Sequence, residues 1–142
     1  MSVFQKDLWI STRGRALLDI TEAVNQQVSD SQIAVGLCHI FCAHTSASLT
    51  LTENADPRVH DDLEDFMARL APDGDPNYSH RSEGDDDMPA HIRSMISDSS
   101  LMVPVSAGRL ALGTWQGVYL WEHRFAAHQR QVVVTVSGEL GI

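Results

Sequence analysis

Residues 32–52, QIAVGLCHIFCAHTSASLTLT, decide how the rest of the chain is read. Gln32 to Ala43 is a largely apolar run of strand length, rich in branched and aromatic residues. From Ser46 to Thr52 the pattern alternates, with Ala47, Leu49 and Leu51 on one face and Ser46, Ser48, Thr50 and Thr52 on the other. Cys38 and Cys42 stand four apart in the first strand, a span of roughly 13 Å. A disulfide needs Cα atoms within about 7 Å. The two thiols are therefore expected to pack as small apolar residues on one face, which fits a reducing compartment.

Working outward, residues 3–11 read as a first strand, and 19–28 as a helix with Ile20, Val24 and Val28 in phase. Asp56-Pro57 opens a second helix, with Asp56 as cap, Pro57 at its first position and Val59, Leu63, Phe66, Met67 and Leu70 as its apolar stripe. A third helix is expected from about Asp87 to Ser97, with Met88, Ile92, Met95 and Ile96 inward. Strands follow at 101–105, at 109–123 with bulges at Gly113 and Gly117, and at 131–137. The run Val132-Val133-Val134 predicts a strand buried on both faces. Helices and strands interleave without a regular βαβ rhythm, so the fold class is α+β, as one domain over 1–142. The one long irregular stretch, 71–88, is the kind of loop that often carries function.

The chain has 142 residues and a net charge of −9, with 43% apolar residues. That charge argues against nucleic acid, whose non-specific affinity comes from Lys and Arg on phosphates, and against an anionic membrane surface. No apolar run reaches the ~18–20 residues of a membrane span, and the first residues lack the pattern of a secretion signal. A cytoplasmic location is expected. Seven histidines against ten Lys and Arg is the unusual feature of the composition.

His44 is expected to share a strand face with Ser46, Ser48, Thr50 and Thr52, a polar wall suited to a metal, a phosphate or a sugar hydroxyl, unless that face is simply solvated. The segment YSHRSEGDDDMPAH (78–91) supplies His80, Glu83, a run of three acids and His91. Two histidines and a carboxylate from separate segments are ligands that zinc or a similar ion prefers, and His44 is available as a third imidazole beside His80 and His91. Mg²⁺ would turn instead to the oxygens of Asp85, Asp86 or Asp87. The plainer reading is a solvated acidic loop whose Asp87 caps the helix. Asn54 and Asp56 stand at a strand-to-helix junction, where capping explains Asp56 and Asn54 can face a pocket. In GTWQG (113–117), Gln116 can read a ligand, and Trp115 is expected in the core. Glu122 can hold a metal or position a histidine, and Glu53, Glu83 and Glu122 are the available acid–base groups. His39 is expected in the core, with His60 and His128 in solvent. No residue makes a convincing nucleophile.

The segments CAHTSASLTLTENADP, SHRSEGDDDMPAHI, LALGTWQGVYLWEH and VVVTVSGEL, in this order, resemble the YjbQ-like family, also called UPF0047. The resemblance covers nearly the whole chain. It implies an α+β domain built as a two-sheet β-sandwich with a few flanking helices, assembled as a homotrimer. It also implies a polar site with His44, His80 and His91 and a divalent metal, zinc-like at the histidines, with Mg²⁺ as the alternative if a diphosphate substrate is used. Members are described as secondary thiamine-phosphate synthases, joining an aminopyrimidine diphosphate to a thiazole phosphate. On that reading Glu122 and Glu83 are the catalytic groups, and Ser46, Asn54, Asp86 and Gln116 bind a phosphorylated small molecule. The alternative is a non-catalytic protein that binds a metal or phosphometabolite. Two departures are visible. Asp86 stands where many members carry Asn, and 124–131 is less basic than usual. The first is expected to bear on metal choice and the second to weaken phosphate binding.

Overall fold

The structure is a computed structural model and describes residues 1–141. The chain alternates as β1 (Ser2–Ser11), β2 (Ala16–Asp19), α1 (Thr21–Ser31), β3 (Ile33–Cys42), β4 (Ala47–Glu53), α2 (Pro57–Leu70), α3 (Asp87–Ile96), β5 (Ser100–Ser106), β6 (Arg109–Leu110), β7 (Gln116–Glu122) and β8 (Gln129–Leu140). A five-stranded sheet runs β1-β8-β3-β5-β6, and a three-stranded sheet runs β2-β7-β4. Every strand pair is antiparallel.

The sheets face each other across one core. Cys38, Ile40, Val132, Val134 and Val136 point inward from the larger sheet and meet Leu49, Val118 and Leu120 of the smaller. Val24 and Val28 of α1 complete it. Both cysteines are free and buried on this inner face, and burial pushes the Cys38 thiol up to about 12 and the Cys42 thiol to about 11. They are packing residues, not reactive ones.

Strand β7 is the one buried along nearly its whole length. Val118 and Leu120 enter the core. On the opposite face Trp121 donates through Nε1 to Glu64 of α2 at 2.9 Å, and Tyr119 meets His60 edge to face. Helices α2 and α3 thus cover the outside of the small sheet. Asp56 caps α2 as its position predicts, accepting from the Arg58 backbone N–H at 3.0 Å.

Several expectations are corrected. The 109–123 run is two strands separated by a turn, and Gly117 pairs in register with Thr52 without a bulge. Strand β2 carries too few residues for its pattern to show. Val132-Val133-Val134 alternates, with Val133 on the half-exposed outer face, because only one side of the large sheet is covered within this chain. Helix α3 turns Asp87, Pro89, Ala90 and Arg93 inward, while Met95 and Ile96 are exposed. On α2 only Met67 is buried, and Phe66 and Leu70 are exposed. Trp115 is also exposed, on the turn after β6.

Candidate metal centre

Helix α3 begins inside the acidic loop, so Asp87 and His91 stand four apart on one helical face. His80 comes from the irregular segment before it. His80 Nε2 lies 2.6 Å from Asp87 Oδ2, and His91 Nε2 lies 3.4 Å from the same oxygen. The two rings meet edge to face with centroids 5.3 Å apart. One ligand atom from each of His80, Asp87 and His91 fits within a 4.8 Å group.

Asp87 is buried and held from behind. Its Oδ1 accepts from Arg124 Nη1 at 2.9 Å. Arg124 also donates through Nε to Asp86 Oδ2 at 2.8 Å and through Nη2 to the Glu83 carbonyl at 2.9 Å. Burial works to raise the Asp87 carboxyl, but the His80 hydrogen bond and the Arg124 charge outweigh it and hold it below the usual carboxylate range. The carboxylate is ionised, oriented and shared by two imidazoles. A pocket of about 170 Å³ opens beside it, lined by Tyr78, His80, Arg81, Asp85 and Met88 among others.

His44 is not in this cluster, which corrects the three-histidine set. Strand β3 ends at Cys42 and β4 starts at Ala47, so His44 lies on the connection and not on the Ser/Thr face. Its Nε2 accepts the Gln131 backbone N–H at 2.6 Å, and its Nδ1 lies 3.5 Å from Arg130 Nη1. Asp87, expected as a helix cap or as one of three oxygen donors to Mg²⁺, takes the third position. The i, i+4 spacing of Asp87 and His91 is the signal that marks it. Arg124, which fixes Asp87, leaves no local trace in the sequence.

The other candidates fall in three places. Glu83 stays by the cluster, with Oε2 3.9 Å from His80 Nε2 and its side chain largely exposed. Asp86 accepts from Arg124 and from the Phe125 backbone N–H at 2.8 Å, so its charge is absorbed by an arginine and is not free for a ligand. Asn54 and Gln116 build the exposed turn. Asn54 Nδ2 donates to the Thr114 and Gln116 carbonyls, and Gln116 Oε1 accepts from the Gly113 N–H at 2.8 Å.

Glu122 and Ser46 belong to a buried network. Glu122 is fully buried and accepts from Arg130, from Thr12 Oγ1 at 2.6 Å and from the backbone N–H groups of His123 and Arg124. Burial opposes ionisation, and the Arg130 and Thr12 bonds overcome it, so the carboxyl is held low. With both oxygens saturated it cannot exchange a proton with a substrate, which corrects the acid–base role expected of it. Ser46 Oγ accepts from Arg130 Nη2 at 3.0 Å.

Two other histidines differ from expectation. His39 stacks on Phe41 on the outer sheet face, and His60 Nε2 contacts the Glu53 carbonyl at 2.6 Å. His123, unassigned by the sequence, is fully buried with Nε2 2.8 Å from Ser48 Oγ. Burial, with Arg93 nearby, pushes it down to about 3. Ser48 is itself buried, so this Ser–His pair offers no accessible nucleophile.

Known proteins are similar to this chain over nearly its whole length. A UPF0047 protein of Synechocystis is 51% identical over 136 residues, covering 96% of this chain and 92% of that protein. The UPF0047 protein YjbQ of Escherichia coli O157:H7 is 44% identical over 137 residues, covering 96% and 99%. A solved structure from Sulfolobus solfataricus, described as a YbjQ-like protein of unknown function, has a TM-score of 0.88 at 29% identity and covers 97% of this chain and 99% of its own. A conserved hypothetical protein of Thermus thermophilus has a TM-score of 0.84 at 34% identity, covering 93% and 99%. The family model described as UPF0047 protein YjbQ-like matches residues 6–139, and the chain belongs to that family.

Proposed function

We propose that the protein is a metal-dependent enzyme acting on a small phosphorylated molecule at the His80–Asp87–His91 cluster. The observation that carries this reading is the convergence of two imidazole nitrogens and one ionised carboxylate oxygen within 4.8 Å. Two nitrogens and one oxygen suit a zinc-like ion, and three protein donors leave a position for water or substrate. Arg124 on the far oxygen of Asp87 is the outer partner that fixes such a ligand. Mg²⁺ fits this donor set less well, because it favours oxygen ligands and both Asp86 and Asp87 are engaged by Arg124. When bound, a zinc-like ion supplies Lewis acidity toward a phosphoryl or diphosphate oxygen.

The chain's own residues then divide the work. His80, Asp87 and His91 hold the centre. Arg81 lines the adjoining pocket, where its guanidinium can meet a phosphate. Glu83 is the exposed carboxylate beside His80 and the candidate for moving a proton. The family resemblance directs this chemistry toward a thiamine-phosphate synthase-type transfer. The thiazole nitrogen would attack the pyrimidine methylene carbon as the C–O bond to diphosphate breaks. The same donor set serves metal-assisted hydrolysis of a phosphoester equally well.

The second reading is a metal- or phosphometabolite-binding protein without turnover. The burial of Glu122 favours it, since that leaves Glu83 as the one acid–base group of the expected pair beside the cluster. Turnover of an aminopyrimidine diphosphate with a thiazole phosphate, and of a phosphomonoester, separates the two. The enzyme reading expects zinc-dependent turnover in the wild type that falls at least tenfold in Glu83→Gln with metal binding intact. No turnover of either substrate class by the metal-loaded wild type favours the binding protein.

A further inference from the structure

His44 is fixed by the backbone in one tautomer. Its Nε2 takes the Gln131 N–H at 2.6 Å. A peptide N–H only donates, so Nε2 carries the lone pair and the neutral ring bears its proton on Nδ1. Burial, then the charge of Arg130, lowers the His44 value and keeps the ring neutral. Nδ1–H therefore points toward Arg130 Nη1 at 3.5 Å. Both atoms are donors, so the pair is a juxtaposition and not a hydrogen bond. Arg130 is only 4% exposed, and its Nε and Nη2 are taken by Glu122 and Ser46. Nη1 is left without an acceptor among the described residues.

His44 and Arg130 both line an open pocket of about 660 Å³, together with the hydroxyl-bearing residues Thr45, Ser46 and Ser99. Ser46 Oγ accepts from Arg130 Nη2, which leaves its own O–H free to donate. Among the described residues no carboxylate lines the pocket, and the partly exposed ring of Phe41 gives it one apolar side.

We propose that this pocket binds a phosphoryl oxyanion, with His44 as a neutral Nδ1–H donor. An acceptor with several oxygens satisfies Nδ1–H, Nη1–H and the hydroxyls together. A cation would face the hydrogens of both nitrogens and be repelled. Glu122 already balances the Arg130 charge, so binding draws on hydrogen bonds and depends weakly on salt. The Phe41 side suits a phosphate carried on a flat apolar body. The site rests on the phosphorylated-ligand part of the function proposed above and does not require its metal.

The test uses protein stripped of metal by a chelator, dialysed and labelled with ¹⁵N-histidine. Inorganic phosphate and phenyl phosphate are titrated in turn while the His44 ring signals are followed. The expected result is an Nδ1–H tautomer, saturable shifts with both probes, and tighter binding of phenyl phosphate. His44→Phe is expected to weaken phosphate binding at least tenfold, and His44→Asn, which returns an N–H near the Nδ1 position, to recover part of it. An Nε2–H tautomer, no saturable shift with either probe, or unchanged binding in a folded His44→Phe overturns the proposal. The wild-type tautomer and titration decide if that variant fails to fold. Because no metal is present, failure of the zinc reading leaves every one of these outcomes unaltered.

Discussion

Two buried groups make this protein sensitive to acid for separate reasons. His123 has an ordinary value of 6.5 but is pushed down to about 3 when folded. Between those values the unfolded chain binds a proton that the folded one refuses, so stability falls as pH drops. The slope approaches about 1.4 kcal/mol per pH unit for one such proton. Glu122 is depressed instead by Arg130 and Thr12 against the cost of burial. Its contribution is present above the unfolded carboxylate value and is lost as pH falls through the lower folded one. Urea midpoints from pH 7 to pH 4 are expected to decline steadily, and His123→Phe to flatten the upper part of that decline. An unchanged slope in that variant removes His123 from the explanation. Residue spacing makes half of the candidate site readable, since it singles out His80 and His91, and Asp87 lies four before His91. What spacing does not show is pairing across the chain. Arg124 takes both acids from 37 and 38 positions away, and Arg130 takes Glu122, so the local pattern cannot show that Asp86 and Glu122 are engaged by arginines or that His44 stands apart from His80 and His91.

Among the elements, β3 and β8 depend on a close approach that only glycine allows. Gly36 and Gly138 are cross-strand partners, next to the irregularity in register between Ile33 and Val35. A Cβ at Gly36 would fall on the Ser137 carbonyl oxygen, and one at Gly138 on that of Val35. Gly138 also has φ +152. Gly36→Ala is expected to cost about 2–4 kcal/mol, since neither backbone can yield without breaking ladder bonds. Chemical denaturation measures it, and a loss below about 0.5 kcal/mol, the range of neutral surface changes, would show that the strands part easily. Element type is legible where periodicity is long, as in α2 with its Asp56 cap, and in the β3–β4 pair at 32–52. It is not legible in β7. That strand is buried on two faces because helices cover one of them, and only the assembled fold supplies that cover. The same reason hides the orientation of α3, where Arg93 points inward to pair with Glu64 while Met95 lies outside.

For the whole molecule, the outer face of the large sheet is left uncovered by the described residues of one chain. Trp9, Val35, Leu37 and Met102 are exposed there as a group of large apolar side chains. The trimer implied by the resemblance offers a cover for it. Leu37→Glu is expected to shift a mass near three chains toward one by light scattering, and a wild type that is monomeric at micromolar concentration refutes the trimer. Fold class and family follow from pattern and motif order, whereas the ligand set depends on which distant segments meet. The central claim is that His80, Asp87 and His91 form a metal centre. Zinc titration of metal-free protein, read by calorimetry with metal analysis of the dialysed product, tests it most directly. One zinc per chain is predicted for the wild type and for His44→Ala, with binding weakened at least a hundredfold in Asp87→Asn and His91→Ala. No stoichiometric zinc in the wild type, or loss of it in His44→Ala with retention in His91→Ala, would contradict it.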